Sequence, residues 1–108
     1  MFSQENCIEY LYIENSETNY YYEKLILYDN TDFFRIRYNG HSSYSSQEKG
    51  NWKRSRDTLS LFGKKINFFP EGNDAEWELS NSAEMHMIRR NYINAYGKYK
   101  LKRQRKCQ

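Results

Sequence analysis

Through the first two thirds of the chain, apolar and polar residues alternate with a period close to two, the pattern of half-buried β-strands. Ile8, Tyr10 and Tyr12 interleave with Glu9 and Leu11, and the polar break over 15–19 reads as a loop. A second strand over 20–28 carries Leu25 and Leu27 on one face and Lys24 and Tyr28 on the other. Asp29-Asn30-Thr31-Asp32 supplies turn formers, so 33–38 should return antiparallel. On that strand Phe34, Ile36 and Tyr38 share one face and Phe33, Arg35 and Arg37 the other, with one side wet. The small polar stretch 39–47 reads as a loop or the frayed start of the next strand. Residues 49–53 resume with Trp52 as the inward anchor, expected against Leu27, Ile36 and Leu59. A tight turn at Arg54-Ser55-Arg56-Asp57 leads into 58–62 with Leu59 and Leu61 inward, and Gly63-Lys64-Lys65 reads as a further turn into 66–69, closed by 70–74.

The last third reads two ways. Trp77 and Leu79 alternate with acids as a strand would. Residues 81–97 fit a helix, with Asn81 and Glu84 as a capping box, Met85, Ile88 and Tyr92 at helical spacing and Gly97 as the C-terminal cap; they also fit two strands over 85–90 and 92–96. Tyr99, Leu101 and Arg103 alternate with Lys100 and Lys102 in a final strand under either reading. The expected fold is therefore all-β: an antiparallel meander forming a small barrel or curved sheet of seven or eight strands, with room for one helix near 82–96. Residues 1–103 make one domain, and 104–108 are expected to be a disordered basic tail.

Composition sharpens this picture. Leu, Ile and Phe total 20 of 108 residues and Val is absent, whereas 11 Tyr and 2 Trp bring the aromatic share to 18%, so the core is aromatic rather than aliphatic. No apolar run approaches the roughly 20 residues of a membrane-spanning helix. One Pro and five Gly exclude collagen-like and Pro-rich chains. The net charge of +3 is uneven. Lys98, Lys100, Lys102, Arg103, Arg105 and Lys106 put six cations into nine residues, and without them 11 bases face 14 acids. Cys7 and Cys107 stand at opposite ends with no metal-ligand spacing, and 1–6 carry no secretory signal pattern, so free thiols are the default and a disulfide joining the two ends requires an oxidising compartment.

The stretch Leu25-Ile26-Leu27-Tyr28-Asp29, Phe33, Tyr38, Gly50-Asn51-Trp52-Lys53 and Asp57-Thr58-Leu59-Ser60-Leu61 resembles a signature of small bacterial lipocalin-like, half-barrel domains. The likeness covers 20–62, and 97–103 resembles the last strand of such domains. Two positions depart from it: Thr31-Asp32 stands where those domains place Asp-Gly, and Ser55-Arg56 where a Gly precedes Asp-Thr-Leu. The resemblance implies a barrel fold and a cell-envelope setting, and it carries no catalytic residues.

Candidate chemistry is sparse. Nucleophile-elbow, zinc-protease, P-loop and dinucleotide motifs are absent from the sequence. His41 beside Ser42 and Ser43 reads as a solvated loop histidine, because adjacent residues rarely hold nucleophile and base in reacting geometry. His86 between Met85 and Met87 reads as part of an apolar face with gap-filling methionines rather than a soft-metal site. Asp74, Glu76 and Glu78 would share one face of a strand, most simply its solvent face. No cofactor and no metal are expected. The leading expectation is a non-enzymatic barrel with a binding or structural role, its partner a small ligand or a protein. The alternative is a nucleic-acid-binding module using Lys98, Lys100, Lys102, Arg103, Arg105 and Lys106 with surface tyrosines.

Overall fold

The computed structural model describes residues 6–40, 44–69 and 77–104. Among these, nine strands follow in order: β1 Cys7–Asn15, β2 Tyr20–Tyr28, β3 Asp32–Asn39, β4 Tyr44–Ser55, β5 Thr58–Phe69, β6 Glu78–Leu79, β7 Ala83–Ile88, β8 Tyr92–Ala95 and β9 Tyr99–Arg103. Every pairing is antiparallel and β9 returns to β1, so eight strands close a meander barrel while β6 adds to β5 outside the ring. Closure pairs β1 with β9 at Tyr10 and Leu11 and so removes part of the free sheet edge that an open meander would expose.

The register sorts the side chains. Ile8, Leu27, Phe33 and Gly50 lie opposite one another across β1 to β4, as do Tyr10, Leu25, Arg35 and Glu48 one step further along. Tyr10, Leu25, Leu27, Phe33, Leu59, Leu61, Ile88, Ile93, Ala95 and Leu101 form the buried core, which is aliphatic apart from Tyr10 and Phe33 and not the aromatic core that composition suggests, because most tyrosines stand only part-buried around it. An eight-stranded barrel has an interior just wide enough for such side chains to fill. Trp52 packs against this core and donates its indole N–H to the Tyr28 carbonyl at 2.8 Å.

Several local expectations change. The face of β3 that enters the barrel carries Phe33, Arg35 and Arg37, and Arg35 is only 2% exposed; Ile36 lies on the other face, so it is not a core partner of Trp52. Gly63-Lys64-Lys65 is no turn: β5 runs unbroken from Thr58 to Phe69, with a register shift opposite Lys49 and Gly50. The segment 82–96 contains no helix. It is β7 and β8, because β5 lies on one side and β9 on the other, and their ladder hydrogen bonds override the local capping signals. Cys7 is disulfide-bonded rather than a free thiol. Cys107, the only other cysteine in the sequence, lies outside the described residues. Gln104 continues past β9 with its backbone N–H bonded to the Glu9 carbonyl at 2.8 Å, and the rest of the tail expected over 104–108 falls outside the described residues.

Candidate functional site: the polar end of the barrel

The interior has two unlike halves. Toward the β2–β3, β4–β5 and β7–β8 turns it is apolar; toward the β1–β2 and β8–β9 turns its inward positions become charged and hydroxylated. Glu23 on β2, Arg35 and Arg37 on β3, Glu48 on β4 and Glu84 on β7 bring three carboxylates and two guanidinium groups together. Alternation places them there: Glu23 is two residues from Leu25, Arg35 and Arg37 follow Phe33, and Glu84 precedes His86 and Ile88, all at the period of two that keeps a side chain on one face.

Arg35 is the hub. Its Nη2 pairs with Glu48, and its Nη1 and Nη2 reach both oxygens of Glu84 at 2.9 Å. The Ser80 and Ser82 hydroxyls donate to the other Glu48 oxygen at 3.2 and 2.8 Å. That carboxylate needs the absence of a side chain at Gly63, where a Cβ would lie 2.2 Å from it. Glu84 also accepts from the Tyr96 phenol at 3.0 Å, and His86 Nε2 lies 2.9 Å from the same oxygen. His86 Nδ1 accepts the Tyr96 backbone N–H at 3.3 Å, so the ring proton sits on Nε2 and points at Glu84. Burial would raise the Glu84 carboxyl, but the bonds from His86, Arg35 and Tyr96 and the charge of Arg35 outweigh it and hold the carboxyl well below the usual range.

Tyr96 links this cluster to a second one. Its phenol accepts from Arg37, whose guanidinium lies over the ring at 5.7 Å, and Arg37 Nε stands 3.5 Å from Glu23. Glu23, 1% exposed, accepts from the Tyr21 and Tyr99 hydroxyls at 2.7 and 2.5 Å. Burial and the adjacent Glu23 charge push both phenols above their ordinary range. The result is one chain of alternating donors and acceptors from Glu48 through Arg35, Glu84, Tyr96 and Arg37 to Glu23. Its solvent-reachable members are Tyr96, 45% exposed, and Arg37 and Glu84, with side chains 30% and 19% exposed. Tyr96 holds a left-handed backbone, φ 55°, in the β8–β9 turn while its side chain makes these bonds.

Of the side chains singled out in the sequence, this end contains His86 alone. Its flanking methionines point the other way, Met85 being 72% exposed, so His86 and the two sulfurs form no joint ligand set and the methionines fill no core. Among the described residues no cluster of His, Cys, Asp and Glu is placed to hold a metal. Lys98, Lys100, Lys102 and Arg103 lie exposed along β9 and its preceding turn; Arg105 and Lys106 fall outside the described residues. So do His41, Ser42, Ser43, Asp74 and Glu76, while Glu78 is exposed in β6. Sequence reading assigned no site role to Glu23, Arg35, Arg37, Glu48, Glu84 or Tyr96; it set Arg35 and Arg37 on one face of a half-wet strand and Glu84 in a helix cap. The available signal was a charge sharing a face with Leu25 or Phe33. The chain matches no known family model, no curated protein and no solved structure.

Proposed function

We propose that this chain is a non-enzymatic binding barrel that takes a small polar ligand at the end where Arg37 and Tyr96 meet. The carrying observation is the set of five ionisable groups turned into the barrel at one end. Buried ion pairs are a poor source of stability compared with apolar packing of the same volume, so such an interior points to another use. The left-handed Tyr96 supports the same reading, since strain of about 1–3 kcal/mol at a non-glycine residue clusters at binding sites. A ligand entering there meets Arg37, the Tyr96 phenol and the Glu84 carboxylate, and both ring nitrogens of His86 are already engaged. The up-and-down eight-stranded barrel supports the lipocalin-like resemblance. The disulfide at Cys7 supports a setting in an oxidising compartment such as the cell envelope.

Titration of isotope-labelled protein with benzoate, benzamidine and phenol, followed by amide chemical shifts, tests the proposal. At least one probe should move the amides of Arg37 and Tyr96 together, and Tyr96→Phe should weaken that response. A protein silent to all three probes, or responding only elsewhere, would reduce this end of the barrel to a structural ion-pair network.

A further inference from the structure

We propose that the seam between β1 and β9 receives an extended acidic peptide, which adds to the barrel wall as a short strand. This site adjoins the polar end, with which it shares Tyr99, and rests on its own observations. β1 pairs with β2 at nine positions but with β9 at two, Tyr10↔Arg103 and Leu11↔Lys102. Among the described residues no backbone hydrogen bond links the stretch 12–15 to β9, so this length of β1 offers its N–H and C=O groups on one side. A cleft of about 510 Å³ lies there. Its apolar lining is Leu11, Tyr12, Ile13 and Tyr99, and its charged lining is Lys98, Lys100 and Lys102, with no acid among the lining residues.

The spacing selects the occupant. Lys100 and Lys102 alternate along β9 and so repeat at about 7 Å, the interval at which an extended peptide presents every second side chain, while Lys98 stands in the turn just before them. Acidic residues at alternate positions would face them beside Leu11 and Ile13, the residues between would face the Tyr12–Tyr99 pair, whose rings stand 4.5 Å apart, and the peptide backbone would complete the ladder. A single-stranded nucleic acid matches the lysines but cannot use the strand edge. It would also find the nearby Tyr92 ring covered, with Lys100 Nζ 4.6 Å from its centre.

The test uses the full chain, isotope-labelled, with acetyl-Glu-Val-Glu-Val-Glu-amide, its Lys-for-Glu counterpart and an oligothymidylate as probes. The acidic peptide should slow amide hydrogen exchange within 12–15 and 99–101, and the basic peptide should not. The double variant Lys100→Glu/Lys102→Glu should bind about tenfold more weakly, the effect of losing two exposed ion pairs. Should that variant fold poorly, the same weakening is read from the native chain as salt is raised. Binding of the oligothymidylate without the peptide would overturn the proposal in favour of a nucleic-acid face. Protection elsewhere, equal affinity in the charge-reversed variant, or no binding by any probe would overturn it outright.

Discussion

Arg56 occupies the first of two residues joining β4 to β5 with φ 57°, a left-handed conformation that glycine adopts without strain and that costs other residues on the order of 1 kcal/mol. Thr31, φ 74°, stands in the same condition in the β2–β3 turn. Both fall in tight turns without a glycine, so a residue with a side chain bears the strain. Arg56→Gly should therefore raise stability by about 0.5–1 kcal/mol, read as a higher denaturant midpoint at unchanged slope. At Glu84 the sign is opposite. Its carboxyl is depressed below the ordinary value of 4.5, so the stability it contributes is complete above that pH and is lost as pH falls from there toward the depressed value. Glu84→Gln leaves Arg35 without one partner and should cost about 3 kcal/mol at neutral pH. The gap to the native protein should then narrow as the medium is acidified below pH 4.5. A gap that stays constant with pH would show that packing, not charge, is lost.

At the scale of elements, the two long strands β4 and β5 show how a local turn signal is overruled. Gly63 sits where the sequence suggests a reversal, yet it pairs with Gly50 beside the register shift. Gly50 is there because the strands approach too closely for a side chain, since a Cβ on it would lie 2.0 Å from the Phe62 carbonyl oxygen, whereas a Cβ on Gly63 would meet the Glu48 carboxylate. Backbone cannot give way as a flexible side chain can. Gly50→Ala is expected to cost about 2–3 kcal/mol by overpacking, measured by thermal or urea unfolding. A neutral substitution there would contradict the close approach. β7 and β8 make the complementary case. Asn81 and Glu84 are spaced as a helix cap, but Glu84 is instead drawn inward to Arg35 and Ile88 is buried opposite Ile93, contacts a helix could not make together.

For the whole molecule, closure is the organising fact. β9 must return to β1, and it does so over two paired positions plus the Gln104 bond to Glu9, a join as short as the one between β7 and β8. The disulfide at Cys7 lies at the start of β1, beside that join. Reduction should lower stability by about 2–5 kcal/mol, the usual effect of opening a native disulfide in a small domain. Calorimetry of the oxidised protein and of the reduced, alkylated protein checks this, and unchanged melting would show that the seam holds without it. The basic character of β9 also takes its place at this scale, since its lysines border an unfilled stretch of wall.

The sequence by itself determined the all-β class, a small antiparallel barrel or curved sheet of seven or eight strands, and the inward set Leu25, Leu27, Leu59 and Leu61. Those follow from period-two alternation around residues such as Leu25, Leu27, Leu59 and Leu61, a property of each strand taken alone. It determined neither the choice between helix and strands over 82–96 nor the continuity of β5, because both depend on which neighbours supply hydrogen bonds. Nor did it reveal the polar end. Arg35 and Arg37 look like a wet face on one strand, and only when β2, β4 and β7 bring Glu23, Glu48 and Glu84 to meet them does that face turn inward. Charges separated by up to 49 positions in the chain pair across a closed ring, and closure is a property of all eight strands at once.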